Sequence, residues 1–115
     1  MPDQTPQGST GLDPKVSALL AYLLGLIGGI VFYSISKDSY VRFHSMQSIL
    51  ASVAVAVIYV AIWIISFIIP FLFAITWIVY LGVFAMWIVL MVKAYNGERY
   101  KLPVIGAMAE KYAGQ

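Results

Sequence analysis

The most constraining feature of the sequence is a stretch of 48 residues, Ser45 to Val92, that contains no Asp, Glu, Lys, Arg or His. A chain of 115 residues is too short to enclose so long an apolar run inside a soluble core. A helix rises about 1.5 Å per residue, so about 20 residues cross the ~30 Å hydrocarbon layer of a bilayer. The stretch is long enough for two crossings and a turn, and it predicts an integral membrane protein.

The composition supports this class and excludes others. The chain is 62% hydrophobic and only 10% charged, and its net charge of +2 is too small to indicate a nucleic-acid partner. It has no Cys, which excludes disulfides, thiolate catalysis and Cys-ligated metals. Residues 1–14 are polar and rich in Pro and Gly, so they are predicted to be a disordered tail that precedes a single membrane domain, 15–115. Asp13 and Pro14 are suited to open the first helix.

Three spans are predicted, over residues 16–35, 45–68 and 71–92. The polar loop 36–44 separates the first two. Pro70 separates the second from the third, because proline removes a backbone donor and disfavours helix at the residue before it. One continuous helix over both apolar segments would be about 70 Å long, more than twice the bilayer thickness.

The segment after the last span is polar and then amphipathic. Asn96-Gly97 is a helix stop, and Pro103 is suited to open a short helix at about 103–112. This helix would lie in the membrane interface and assist anchoring. The predicted fold class is therefore an all-α integral membrane protein with three transmembrane helices plus a short C-terminal amphipathic helix.

The distribution of Lys and Arg predicts an orientation. With three spans, the loop 36–44 and the C-terminal tail lie on one side of the membrane, and Lys15 alone lies on the other. The positive-inside rule then makes the loop and tail cytoplasmic and the N-terminus external in a multi-pass protein of the cell membrane. The six residues on the cytoplasmic side are Lys37, Arg42, Lys93, Arg99, Lys101 and Lys111.

Small residues recur at four-residue spacing on two predicted spans, and such stripes let another helix approach closely. One interpretation is packing within a single three-helix bundle, and the other is a homo-oligomer interface. The stripes consist of Ala21, Gly25 and Gly29 on the first span and Ser48, Ser52 and Ala56 on the second.

A cytoplasmic polar cluster is predicted around the start of the second span. His44 and Gln47 share a helix face at a spacing of three residues. His44 could sense pH or shuttle protons, but the spans contain no acid to continue a proton path. The alternative is a hydrogen-bonded helix start, with Arg42 reaching the phosphates. Arg42 or His44 could also pair with Glu98 or cap carbonyls of the tail, since both segments lie on one side.

A third possibility is binding of lipid headgroups on the cytoplasmic side, through Lys93, Arg99 and Lys101 together with Arg42. Chemistry is not indicated. One His and five scattered acids offer no metal-ligand spacing, and no hydroxyl has a base and an orienting group beside it. No cofactor is expected, and the chain is not predicted to be an enzyme.

Two sequence segments carry a family resemblance. One runs from Arg42 to Ser48 (RFHSMQS) and the other from Lys93 to Gly106 (KAYNGERYKLPVIG). Together they resemble a family of small prokaryotic membrane proteins of unknown function, grouped with the Tic-twenty component of chloroplast import and the magnetosome protein MamF. The family's recurring positions match Arg42, His44, Gln47, Gly97, Pro103 and Gly106.

The resemblance implies little about activity. Tic-twenty relatives are associated with protein import and usually have four spans, and MamF-like proteins are associated with biomineral compartments, often as oligomers. The sequence therefore predicts a non-enzymatic structural or interaction subunit, either a homo-oligomer or an accessory chain of a larger membrane complex. The alternative is a transport or translocation component that forms a pore only as an oligomer. The expected partners are the lipid bilayer and copies of itself or other membrane proteins.

Overall fold

The computed structural model describes residues 12–113, which fold entirely into helices and their connections. Among the described residues, two helices are long and apolar enough to cross a bilayer, α3 (Ser39–Ser66) and α4 (Leu72–Tyr95). They overlap the second and third predicted spans, but α3 begins inside the predicted loop 36–44, most of which is helical. The first eleven residues of the predicted disordered tail lie outside the described residues. The helices are α1 (Pro14–Leu23), α2 (Gly25–Ile35), α3 (Ser39–Ser66), α4 (Leu72–Tyr95) and α5 (Ile105–Tyr112).

The α3–α4 hairpin forms the long axis of the molecule. α3 begins where the Asp38 carboxylate accepts the backbone N–H groups of Tyr40 and Val41, a side-chain N-cap. It ends before Pro70, and tight turns over 67–71 reverse the chain into α4. The end of the hairpin that holds the start of α3 and the end of α4 is called the basic end below.

The predicted first span is not one helix in the structure. It is divided into α1 and α2 at Leu24, and Gly25 adopts a left-handed φ of +64° that only glycine takes up readily. The two helices fold back on each other, so that a Cβ at Gly28 would lie 2.7 Å from the Leu20 carbonyl oxygen. Each helix has about half the length needed to cross a bilayer. Hydropathy predicted the apolar content of 16–35 but not the reversal.

Both ends of the α1–α2 hairpin, residues 14–35, lie at the basic end. At the start of α1, the Lys15 side chain packs beside Gly97, just after α4. At the end of α2, Arg42 Nη1 donates to the Tyr33 carbonyl oxygen over 2.9 Å. Lys15 therefore lies beside the tail. The three-span prediction required it to lie at the opposite end of the molecule.

Burial is concentrated at the basic end, where all five helices meet. The buried apolar residues come from α1, α3 and α4 and from the segment before α5; they include Ala18, Tyr22, Ala51, Leu90, Ala94 and Leu102. The distal half of the hairpin, residues 53–85, exposes most of its side chains. A large, continuous apolar surface of this kind is stable only in a lipid or protein environment.

Candidate functional site

A cluster of polar side chains fills the basic end and holds the tail against the helices. This polar cluster consists of Tyr22 from α1, Tyr40, His44 and Gln47 from α3, and Trp87 from α4. His44 and Gln47 are fully buried, as is Tyr22. The tail segment between α4 and α5, residues 96–104, has no regular structure, so its backbone groups need partners from elsewhere.

Gln47 makes two hydrogen bonds with the tail backbone and one with the Tyr22 hydroxyl. Its Nε2 donates to the Tyr100 carbonyl oxygen at 2.9 Å and to the Tyr22 hydroxyl at 2.7 Å. Its Oε1 accepts the Leu102 backbone N–H at 2.9 Å. The tail presents one acceptor and one donor, which fixes the orientation of the Gln47 amide, and both hydrogens of the Gln47 Nε2 group are used.

His44 connects Tyr22 to the tail. Its Nε2 lies 2.9 Å from the Glu98 carbonyl oxygen, which can only accept, so Nε2 carries a hydrogen. Its Nδ1 lies 2.7 Å from the Tyr22 hydroxyl oxygen. Because Gln47 already donates to that oxygen, the Tyr22 hydroxyl hydrogen is free to donate to Nδ1. A neutral His44 with its hydrogen on Nε2 therefore satisfies every polar atom of the three side chains.

Tyr40 completes the attachment of the tail. Its hydroxyl lies within hydrogen-bonding distance of the Ala94 carbonyl, at the end of α4, and 3.1 Å from the Glu98 carbonyl. Its ring meets His44 edge to face, with centroids 4.6 Å apart. His44 and Tyr40 thus both contact the Glu98 carbonyl. One predicted alternative, capping of a tail carbonyl by His44, is present in the structure.

A second set of hydrogen bonds lies at the reversal between α1 and α2. The Ser48 hydroxyl is 2.8 Å from the Ala21 carbonyl and 3.1 Å from the Gly25 carbonyl. Trp87 Nε1 donates to the Tyr22 carbonyl. These carbonyls belong to the end of α1 and to the reversal, where the regular helical bonding pattern is interrupted. Ser48 and Trp87 therefore compensate for the break in backbone hydrogen bonding.

The predicted small-residue stripes are divided by the fold. Ala21, Gly29 and Ser48 are buried where α1 and α2 pack on α3. A Cβ at Gly29 would lie 2.9 Å from the Ser45 carbonyl oxygen, so the two helices approach closely. Ser52 is half-buried and Ala56 is exposed. Most of the two stripes therefore packs within the chain.

The remaining predicted residues do not form one site. Glu98 pairs with Lys93 at 3.3 Å, and Lys101 pairs with Glu110 at 2.9 Å. Arg42 lies apart from Glu98, with its guanidinium carbon 3.9 Å from the centroid of the Tyr33 ring. Arg99 Nη2 donates to the Ser39 hydroxyl at 2.9 Å. Of the residues predicted to form the cytoplasmic polar cluster, only His44, Gln47 and the backbone of Glu98 come together in the structure.

The four acids among the described residues have structural partners. Asp13 accepts the Lys15 backbone N–H and Asp38 caps α3, while Glu98 and Glu110 form the two ion pairs. Within residues 12–113, no group of three or more His, Asp or Glu side chains is arranged to hold a metal ion.

An aromatic cleft lies between α3 and α4 in the distal half. Its volume is about 500 Å³, and the rings of Tyr59 and Tyr80 face it with centroids 5.1 Å apart. The Tyr59 hydroxyl is shielded from solvent and has no hydrogen-bond partner among the described residues. The cleft is lined by Tyr59, Val60, Trp63, Phe73, Thr76, Trp77 and Tyr80.

Comparisons with known proteins give consistent relatives. A family model described as the magnetosome magnetite crystal formation protein family, MamF/MmsF, matches residues 12–109. A UPF0132 membrane protein of Methanocaldococcus jannaschii is 43% identical over 109 residues, covering 91% of this chain and 93% of the relative. A second from that organism is 42% identical over 106 residues (89% and 71%). One from Archaeoglobus fulgidus is 40% identical over 101 residues (87% and 95%). No solved structure gives a significant match.

Proposed function

The chain belongs to the magnetosome magnetite crystal formation (MamF/MmsF) family, and from this membership we propose that it is a multi-pass membrane protein acting as a non-enzymatic structural or interaction subunit. Its relatives are named as membrane proteins, which agrees with its two long apolar helices. The magnetite in the family description does not enter the proposal, because the carboxylates among the described residues already cap helices or pair with lysines.

In the proposed topology, α3 and α4 cross the bilayer and the α1–α2 hairpin enters from the basic end and returns to it. The support is the placement of charge. All seven Lys and Arg residues lie at the basic end, in the helix starts, the last turns and the tail. Residues 45–92, which include the turn at the opposite end, carry no charge. The positive-inside rule then makes both ends of the described chain cytoplasmic, in place of the external N-terminus expected from three spans.

A re-entrant hairpin requires its interrupted backbone to be satisfied by protein, because hydrocarbon offers no hydrogen bonds. Ser48 and Trp87 provide this by bonding carbonyls at the reversal. Leu24 and Ile27, on either side of the reversal, are exposed apolar residues suited to the bilayer interior. These contacts supply part of what a hairpin that ends inside the membrane requires.

The proposed interaction surface is the distal half. This proposal is supported by the aromatic cleft, which has a volume of about 500 Å³. The shielded Tyr59 hydroxyl has no acceptor within residues 12–113. An unsatisfied hydroxyl is costly in hydrocarbon, and a helix from another subunit would supply an acceptor and fill the cleft. Ala56, the exposed member of the small-residue stripe, lies near this surface in sequence. The partner is a second copy or a larger membrane complex.

The topology can be tested by cysteine labelling, since the natural chain has no Cys. Lys15→Cys and Lys111→Cys should react with a membrane-impermeant maleimide from the same side of sealed vesicles. Phe67→Cys, at the uncharged turn, should react only from the other side. Opposite sidedness of Lys15→Cys and Lys111→Cys would restore the three-span arrangement and overturn the re-entrant hairpin.

Assembly can be tested by native mass spectrometry of protein extracted gently from its own membrane. A discrete homo-oligomer, or a fixed mass of other subunits, is the expected result. Ala56→Leu and Tyr59→Phe should weaken the complex, and Ser34→Ala, at the basic end, is the matched control. A strict monomer would overturn the proposed function. The alternative of a transport pore requires an oligomer that also gives ionic or solute flux in liposomes.

A further inference from the structure

The outer face of α5 carries an apolar stripe that the helical core does not use. Met108 and Tyr112 lie four residues apart on one side of the helix and are 38% and 52% exposed, and Val104, directly before the helix, is 76% exposed. Gly106 and Ala109, on the other side, are buried against the rest of the molecule. A short helix with small residues inward and an apolar stripe outward is suited to lie in a membrane interface.

Two cations stand beside the end of this stripe. Arg42 stacks on Tyr33, whose hydroxyl donates to the Tyr112 carbonyl at 2.8 Å. Lys111 lies 5.7 Å from the centroid of the Tyr112 ring. These contacts bring four residues from three helices together in one surface, which we call the phosphate patch: Tyr33, Arg42, Lys111 and Tyr112.

The charge of the patch is not neutralised within residues 12–113. The two ion pairs of the described chain use Lys93 and Lys101, so neither Arg42 nor Lys111 has a carboxylate partner there. Arg42 uses one guanidinium N–H for the Tyr33 carbonyl, and its other donors remain available for an anion. Stacking on Tyr33 holds the guanidinium plane in place, which lowers the entropy lost when it binds an anion.

We infer that the phosphate patch binds the phosphate of an anionic lipid in the leaflet at the basic end, while Val104, Met108 and Tyr112 contact the upper part of its acyl chains. The inference rests on the proposed membrane placement of the basic end. The expected ligand is a lipid and not a free phosphate ion. The cations and the apolar stripe are adjacent, and only a lipid has both a phosphate and acyl chains to match them.

The experiment uses the full chain in a neutral detergent, with equal amounts of phosphatidylglycerol and phosphatidylcholine. Native mass spectrometry counts the retained lipids of each kind. The natural chain should retain phosphatidylglycerol preferentially, and Arg42→Gln/Lys111→Gln should reduce that preference by roughly 5- to 30-fold, since each cation near an anionic surface contributes roughly fivefold. The matched control, Lys15→Gln/Lys37→Gln, removes the same charge outside the patch and should lower the preference by less than the patch variant does, because neither lysine belongs to the patch.

Further variants keep the test decisive if loss of Arg42 disturbs folding. Lys111→Gln alone alters an exposed side chain and should still lower the preference. Met108→Asn should reduce retention of both lipids equally, because it affects only the acyl contact. If the patch and control variants lose the preference for phosphatidylglycerol equally, the preference depends only on net charge, and the inference is overturned. Displacement of the lipid by millimolar inorganic phosphate would overturn the commitment to a lipid. The experiment measures retained lipid. Failure of the lipid-binding inference is therefore distinguishable from failure of the proposed topology or assembly.

Discussion

Gln47 Oε1 accepts the backbone N–H of Leu102 at 2.9 Å, across 55 residues of sequence. The same amide donates to the Tyr100 carbonyl. One side chain of α3 therefore pairs with both the donor and the acceptor of an irregular segment, much as a neighbouring backbone would in a sheet. The tail is fixed to the start of α3 by polar contacts.

Gln47→Leu should release the tail. The substitution has nearly the same size but removes three hydrogen bonds, and each buried group left without a partner costs about 1–3 kcal/mol. We expect the free energy of unfolding in mixed micelles to fall by about 3 kcal/mol or more. The Leu102 amide should lose its protection against hydrogen exchange.

Met46→Leu, at the neighbouring half-buried position, is the matched control and should leave both measurements nearly unchanged. If the Leu102 amide of Gln47→Leu exchanges as slowly as in the natural chain, the tail is held by packing and not by this amide.

The Tyr22 hydroxyl should be energetically coupled to His44. Tyr22→Phe removes the acceptor for Gln47 and the donor to His44 Nδ1, and should lower the free energy of unfolding by about 1–3 kcal/mol. Combined with His44→Phe, the loss should be smaller than the sum of the single losses, with a coupling of about 0.5–3 kcal/mol.

Tyr59→Phe provides a control within the same chain, because the Tyr59 hydroxyl has no partner among the described residues. Its removal should not lower the free energy of unfolding of the monomer in detergent, because no hydrogen bond is lost. Additive effects of Tyr22→Phe and His44→Phe would contradict the hydrogen-bond assignment.

The two long helices follow from the sequence because an uncharged run with a single proline leaves few alternatives. The face shared by His44 and Gln47 was also predictable, from helical spacing. Their partners were not, because a polar side chain in an apolar helix indicates that a partner is needed without identifying it. Tyr22, the central member of the polar cluster, was not predicted, because a tyrosine in an apolar segment does not by itself indicate a hydrogen-bonding role.

The reversal between α1 and α2 was missed for a different reason. Hydropathy measures composition, and one 20-residue crossing has the same composition as two antiparallel helices of half that length. The information lies in the backbone of Gly25 and in the side chains of Ser48 and Trp87, which come from other helices. Such a break becomes recognisable only when the residues that satisfy its carbonyls are known.

Gly25→Ala and Gly82→Ala should shift stability in opposite directions. Gly25 has a left-handed φ of +64°, and an L-residue there costs about 1–2 kcal/mol even though its side chain would meet nothing. Gly82 lies within α4, where a Cβ would also meet nothing. Alanine at that position should therefore stabilise the helix by about 0.5–1 kcal/mol. Thermal unfolding of both variants in the same detergent measures the signs.

Stabilisation by both alanines would mean that α1 and α2 form one continuous helix in the membrane. That outcome would agree with a labelling result in which the two ends of 14–35 lie on opposite sides.

Trp87→Phe should destabilise the α1–α2 hairpin more than it destabilises the spans. The Trp87 indole N–H donates to the Tyr22 carbonyl, and phenylalanine keeps much of the ring packing while leaving that carbonyl without its donor. We expect a loss of about 1–3 kcal/mol, with increased hydrogen exchange confined to residues around Leu24. Trp77→Phe is the matched control, because Trp77 is 72% exposed on the same helix. Equal effects of the two substitutions would show that Trp87 contributes only apolar packing, and that the reversal obtains its hydrogen bonds elsewhere.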